Sequence, residues 1–295
     1  MEKRNEQLLI TEILSRAFNI CKDNVLEILK SIGIFMVPSF ILTMVISFTF
    51  IAAVFFSISY IDSYTYYDNS FSAIGAGAIF IIIIVGIIAG ILSLFGTFVI
   101  TKILDDANKG NEVSWKSATK YIWKKKWSAL GLSILVSLMM CIAITVLIIL
   151  GTLFSLITLG IGAIIAVPLI IAIIVVIIPL CSLFNSSFVV NDLGAIDAIT
   201  ETFHLFRKGY FWSTVGRLAA ISGISILLVI GLVILDFIPI LGSILSVIFP
   251  VVISIYVSAY LNIFVLDRTK PQIDNFLGNS GDDNNQDDGF IDPIV

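Results

Sequence analysis

A single histidine, His204, and three cysteines, Cys21, Cys141 and Cys181, supply all the imidazole and thiol in a chain of 295 residues. General acid–base catalysis asks such groups to work with a positioned partner, and there is no second histidine to share the work with His204. It falls on the polar side of a helical pattern, where a solvated or headgroup-facing role is expected. Cys21 falls in an expected cytoplasmic segment and Cys141 and Cys181 within expected spans, so neither metal-ligand spacing nor a disulfide framework appears and packing is their expected role. The carboxylate pairs Asp105-Asp106 and Asp282-Asp283 fall in an expected loop and an expected tail, where solvated charge is the reading. There is no GxxxxGK[ST] phosphate loop, HExxH, CxxC or GxSxG elbow. The chain is therefore not expected to be an enzyme, and no catalytic, cofactor-binding or metal-ligating residue is assigned. One cluster remains. Lys124, Lys125 and Lys126, followed at once by Trp127, would attract anionic lipid headgroups at about 1 kcal/mol each. The same cluster is also a topology signal, the commoner role of basic loops.

The elements that would position these groups follow from composition. Apolar residues make up 58% and charged residues 13%, and mean hydropathy is +1.07, leaving too little charge to cover a water-facing surface. The net charge of -4 argues against nucleic acid as a partner. Apolar stretches can be measured against the ~20 residues a helix needs to cross a bilayer. The uncharged stretches are 31 residues between Lys30 and Asp62, 33 between Asp68 and Lys102, and 65 from Trp127 to Asn191. The first two hold one span each. The third holds two, divided at Thr158-Leu159-Gly160-Ile161-Gly162. From Leu218 to Leu266 the only charge is Asp236, three residues before Pro239, which suits the start of a new helix and leaves two more spans. Runs such as Ile81–Val85 and Ile173–Ile178 resemble strands, but a membrane-spanning barrel would alternate polar and apolar residues, and these do not.

All 17 basic residues fall on one side of this scheme: before the first span, in the loops after the second and fourth, and after the sixth. The positive-inside rule makes that side cytoplasmic, and an even number of spans returns the carboxyl terminus to it. Trp115, Trp123, Trp127 and Trp212 mark the inner edge, and Tyr60, Tyr64, Tyr66 and Tyr67 the first outer loop, as amphipathic rings do. The first apolar run begins only at Ser31 and has no small-residue cleavage site, so it is expected to be retained rather than removed as a signal peptide.

Three cytoplasmic segments carry helical periodicity of the kind that lies along a membrane. In the first, Ile10, Ile13, Leu14, Ala17, Phe18 and Cys21 oppose Glu12, Arg16, Asn19 and Lys22. In the second, Trp115, Ala118 and Ile122 align. In the third, Leu193, Ile196, Ile199, Phe203 and Phe206 oppose Asp197, Glu201, Arg207 and Lys208, with Gly209 placed as a C-cap. Leu14, Phe18 and Lys22 match Ile199, Phe203 and Arg207 at a shift of 185, suggesting three parallel units of one surface helix and one hairpin. Gly216, Gly223, Ser213 and Ser222 are small residues that let helices approach.

Three stretches resemble a known family. They are Ile13-Leu14-Ser15-Arg16-Ala17-Phe18, the run Val190-Asn191-Asp192-Leu193-Gly194-Ala195-Ile196-Asp197-Ala198-Ile199 leading to Phe203, Arg207 and Trp212, and Tyr260-Leu261-Asn262-Ile263-Phe264-Val265-Leu266-Asp267-Arg268. Together they resemble the membrane domain found with some glycerophosphoryl diester phosphodiesterases, over nearly the whole chain up to about Arg268. The resemblance implies a six-helix membrane unit. It does not bring the phosphodiesterase reaction, which would need histidines and metal-binding carboxylates.

The expected fold class is all-α: a polytopic integral membrane protein with six transmembrane helices and three cytoplasmic interfacial amphipathic helices. Its parts are a cytoplasmic interfacial helix at 1–30, a membrane domain at 31–266 and an acidic cytoplasmic tail at 267–295. The spans are expected at 31–58, 73–101, 128–153, 163–189, 214–235 and 239–266, with cytoplasmic loops at 102–127 and 190–213. The tail, with seven Asp and six Asn or Gln, has too little apolar surface to fold, so disorder is expected. No ionisable residue falls mid-span, as coupled carriers require; Asp236 reads as a helix cap near the outer surface. Pro38, Pro168, Pro179 and Pro250 are tolerated in membrane helices without implying transport. The expected function is non-catalytic: a multi-pass protein of the cell membrane that organises the membrane or a membrane-associated protein partner. A carrier or permease component for a hydrophobic or lipid-like small molecule is the alternative.

Overall fold

The computed structural model describes residues 8–61, 69–158, 164, 179–206, 211–235 and 239–282. Regular structure among them is entirely helical: α1 (Ile10–Asp23), α2 (Val25–Ser31), α3 (Val37–Ile61), α4 (Asn69–Lys109), α5 (Trp115–Lys124), α6 (Lys126–Ile157), α7 (Pro179–Val190), α8 (Ala195–His204), α9 (Phe211–Leu235) and α10 (Pro239–Asp282). The strand-like run Ile81–Val85 is helical, within α4. In lipid, a helix is the element that satisfies its own backbone.

Five stretches are long and apolar enough to cross a membrane: Val25–Ala52, Ile79–Lys109, Lys126–Ile157, Phe211–Leu232 and Ile248–Thr269. The apolar helix Pro179–Val190 is shorter. The span expected at 163–189 lies for the most part outside the described residues, as do Gly160, Gly162, Pro168 and the Ile173–Ile178 run. So do Asp236, Gly209, Tyr64, Tyr66 and Tyr67. Pro239 is the first residue of α10, where a missing N–H leaves no bond unmade.

Several boundaries differ from expectation. Within the segment expected as one helix at 1–30, the described residues form two helices, broken at Asn24, whose side-chain amide donates to the Ile20 carbonyl at 3.0 Å. The second of them, α2, runs directly toward the first span through a π-helical turn at Ile32–Met36. Pro38 follows at once; its ring would crowd the Ile34 carbonyl in a regular helix, and the wider turn relieves that. Helix α4 does not end at 101 but continues to Lys109. It closes in a Schellman motif, with Gly110 at φ 73° and bonds from Asn111 N to Asp106 O and from Gly110 N to Ala107 O. Helix α7 closes in a related way at Asp192, φ 54°, with Leu193 N donating to Phe188 O at 3.2 Å. Helix α8 stops at His204, five residues before the glycine placed as its cap. Helix α10 runs through Asp282, past the expected start of the tail at Asp267.

The core lies toward one end of the bundle. Phe95, Phe98–Ile100, Ile103 and Leu104 of α4, Leu183, Phe184 and Phe188–Val190 of α7, and Ala259–Leu261 and Ile263–Val265 of α10 are buried. These are the carboxyl-terminal parts of the stretches just before the basic segments. Near them α4 packs on α3, α5 and α10, α10 packs on α9 and α1, and α8 packs on α6. The Phe98 and Phe188 rings meet edge to face at 5.3 Å.

Close approach between helices is set by Gly96 rather than by the glycines singled out from sequence. A Cβ on Gly96 would lie 2.9 Å from Phe35 Cβ, whereas a Cβ on Gly216 or Gly223 would meet nothing within 4 Å. Ser39 ties the same pair of helices, donating to the Ala89 carbonyl at 2.8 Å.

Candidate functional site

Most of the charged side chains with described partners gather at the end of the bundle where α4 and α7 terminate, α6 and α9 begin and α10 passes through Asp267. Lys102, Asp105, Asp106 and Lys109 lie on the last two turns of α4 at spacings of three and four, so they share one face. Lys102 reaches Asp105 at 3.0 Å and Asp106 at 2.8 Å, and Lys109 reaches Asp105 at 2.8 Å. The Asp105 side chain is fully buried, contrary to its expected place in a solvated loop. Burial of a carboxylate is tolerated here because two ammonium groups surround it.

This cluster reaches other helices. Lys109 also donates to the Val190 carbonyl at 2.7 Å, occupying an acceptor that the end of α7 leaves open. Lys102 sits 4.9 Å above the Tyr121 ring of α5. The Tyr121 hydroxyl donates to Asp192, and Lys125 pairs with the same carboxylate at 2.6 Å while donating to the carbonyls of Asp192 and Leu193. Hydrogen bonds from Lys125 and Tyr121 hold the Asp192 carboxyl below its ordinary value. Burial first, and the bond to Asp192 second, push the Tyr121 phenol up, so it stays a donor.

A second knot joins the amino-terminal segment to the last two helices. Arg217 of α9 pairs with Asp267 of α10 at 3.3 Å and donates to Leu8 O at 3.0 Å. Asp267 accepts from Leu8 N at 3.5 Å, so Asp267 belongs to the packed structure. The start of the tail must be moved beyond it, since Thr269 is buried as well. Phe264 lies between Arg217 and Arg268, 5.5 and 5.7 Å from their guanidinium carbons. Tyr256 donates to Leu14 O at 3.0 Å, and Arg16 donates to Asn108 O at 3.1 Å, so α1 is bonded to both α10 and α4. Deeper in the bundle Asn262 donates to the Thr101 carbonyl at 2.9 Å.

The three lysines singled out from sequence are separated by this arrangement. Lys125, between α5 and α6, turns inward to Asp192. Lys124 is exposed, and Lys126 lies 4.7 Å over Trp123 and 5.8 Å over Trp127. Helix α8 presents two different apolar faces. Ala198, Thr202 and, one residue past the helix, Leu205 are buried against the protein, whereas Ile196 and Phe203, on the apolar stripe expected to lie along the membrane, point outward. His204 is exposed at the end of α8. Cys21 is half-buried, and burial pushes its thiol up to about 11.

Chemically these clusters neutralise themselves: the described carboxylates of α4, Asp192 and Asp267 each face an ammonium or guanidinium group. Such pairing is suited to holding helix ends together. A cavity of about 130 Å³ lies between α7, α9 and α10, lined by Pro179, Ser182, Ile221, Ser222, Ser225 and Val257 among others. That is below the several hundred Å³ usual for small-molecule pockets. Comparison with protein-family models, with curated proteins and with solved structures gave no match.

Proposed function

We propose that the chain is a non-catalytic multi-pass protein of the cell membrane, with six spans and both termini in the cytoplasm, that organises the inner leaflet or a protein docked there. The observation that carries this reading is the bonding of the clustered charges to one another at one end of the bundle. Asp105 is shared by Lys102 and Lys109, Asp192 by Lys125 and Tyr121, and Asp267 by Arg217 and Leu8 N. These links, with the Thr202 hydroxyl of α8 donating to Ser187 Oγ of α7 at 3.0 Å, fix α1, α5 and α8 as a collar around the helix ends. The collar turns Phe18, Trp123, Ile196 and Phe203 outward, a suitable surface for the headgroup region of a membrane. The inner side is assigned by the one-sided distribution of all 17 basic residues.

A carrier for a hydrophobic or lipid-like molecule is the second reading, and the cavity between α7, α9 and α10, too small as it stands for such a molecule, would have to widen for that reading to hold. Proteoliposomes decide between them. The scaffold should leave a fluorescent lipid-like tracer on its original side of the bilayer while altering the lateral distribution of lipids. Saturable, protein-dependent movement of the tracer across the bilayer would overturn the scaffold reading.

A further inference from the structure

Helix α5 carries a one-sided lysine stripe. Lys116, Lys120 and Lys124 follow one another at intervals of four residues over about 12 Å of helix, and all three are exposed. They lie on the face turned away from Ala118 and Ile122, which are fully buried. No carboxylate among the described residues lies within ion-pair distance of any of them, and α5 contains no acidic residue. This sets α5 apart from its two counterparts: the polar face of α1 mixes Glu12, Arg16, Lys22 and Asp23, and that of α8 carries Asp197 and Glu201.

The surroundings of the stripe fit a membrane surface. Helix α6, one of the stretches able to span, begins at Lys126, a single residue after α5 ends, so α5 lies at the mouth of a span. Trp123 and Trp127 are 61% and 77% exposed, although large indoles normally bury most of their surface. Indoles favour the headgroup level of a bilayer. Lys126 stands over both rings, which brings a fourth ammonium group to the same patch.

We propose that the α5 face formed by Lys116, Lys120 and Lys124, with Lys126, Trp123 and Trp127 at its span-side end, is a binding surface for the phosphate groups of anionic phospholipids in the adjoining leaflet. It deepens the proposed membrane-organising role by naming the lipid class recognised. The lysine set differs from the contiguous one suggested by sequence. Lys125 is excluded because its ammonium is already committed to Asp192 and two carbonyls. Lysine suits such a surface because it meets phosphate as a mobile point charge rather than a rigid fork.

Tryptophan quenching reads the surface directly, since three of the four Trp, Trp115, Trp123 and Trp127, lie on α5 or beside it. The full chain is placed in vesicles of phosphatidylcholine with increasing brominated phosphatidylglycerol, and the exchange constant is compared with that for brominated phosphatidylcholine. The wild-type protein should prefer the anionic lipid, and raising salt should abolish the preference as the Debye length shrinks. Replacing Lys116, Lys120 and Lys124 together by Gln should reduce the preference on the order of tenfold to a hundredfold at low salt. Orientation should persist, because 14 of the 17 basic residues remain. The triple Arg variant should retain most of the preference, which guards against a loss caused by altered packing.

A salt-insensitive wild-type preference, or one unchanged in the folded Gln variant, would overturn the proposal. Displacement by inorganic phosphate at constant ionic strength would also overturn it, by assigning the site to a soluble anion. The tracer experiment is independent. Transport with intact lipid selectivity would sink the scaffold alone, and loss of selectivity without transport would sink only the α5 surface.

Discussion

Helix α4 passes through two different regimes, and the contrast between its halves explains how this bundle is held together. From Ile79 to Ile88 its large side chains point outward, Ile79, Phe80, Ile81 and Ile87 being more than half exposed. From Phe98 to Asp105 almost every side chain is buried, first apolar and then ionic. The first half resembles α6, whose Ile134, Leu138, Ile142 and Ile148 also face outward. Hydrocarbon tails solvate such residues as well as another helix does, so apolar character alone gives little drive to associate. The other half supplies what lipid cannot: paired charges, carbonyls that need donors, and close approach at Gly96. The helices are therefore joined at the collar, and beyond it α3 and α4 also pack together, at Ser39 with Ala89 and at Ile46 with Gly86.

Substitutions at the two ends should separate these regimes. The largest effect is expected from Asp105→Ala, which removes the carboxylate shared by Lys102 and Lys109, leaves Lys102 with Asp106 and Lys109 with the Val190 carbonyl, and should cost about 1.5–3 kcal/mol in reversible unfolding in micelles. Ile84→Ala, on the outward half of the same helix, should change stability by less than about 1 kcal/mol. Equal losses would break the comparison. Gly96→Val should come next, at about 1–3 kcal/mol, because its Cβ would have to displace Phe35. Gly216→Val, with open space around it, should be nearly silent in the same assay.

Arg217→Met should act more locally. It removes the donor to Leu8 O and the partner of Asp267, so trypsin should cut at Arg16 much faster while the spans remain folded. Unchanged cleavage would mean that the Tyr256 and Arg16 bonds suffice to hold α1. The smallest effect is expected from Asp192, whose carboxyl is exposed. Its folded-state pKa is lowered, so its stabilising contribution is full above the ordinary carboxylate range and fades as pH falls through the folded value. The acid limb of a stability–pH curve should flatten slightly in Asp192→Asn, and no change would limit the pair to geometry.

Five apolar helices long enough to cross a membrane were legible because they depend on the length of an apolar run, which lipid thickness fixes independently of packing. What sequence concealed was which apolar face meets protein and which meets lipid. On α8 the outward Ile196 and Phe203, on the stripe expected to lie along the membrane, are more hydrophobic than the buried Ala198 and Thr202, so hydropathy marked the outward face and gave no sign of the face that packs on protein. Asp105 was hidden for a different reason, since its burial comes from packing by other helices. Even so, Lys102, Asp105, Asp106 and Lys109 repeat at three and four residues, and that spacing was a readable sign that α4 continues. Lys125 could not be told from its neighbours by type. The break between α5 and α6, where Lys125 takes φ -99° and ψ 16°, turns it inward. Nothing in composition distinguishes Gly96 from Gly216, because only the position of Phe35 does so.

The central claim, that paired charges at the collar hold the helices together, is tested most directly by a double-mutant cycle between Arg217 of α9 and Asp267 of α10, the largely buried pair that joins two helices. Arg217→Met, Asp267→Ala and the combined variant would be compared with the wild-type chain in reversible unfolding. The account predicts that the double variant is less destabilised than the sum of the singles, with a coupling of about 1–3 kcal/mol. Strict additivity would contradict it, leaving the apolar core that includes Leu218 and Phe264 as what joins these helices.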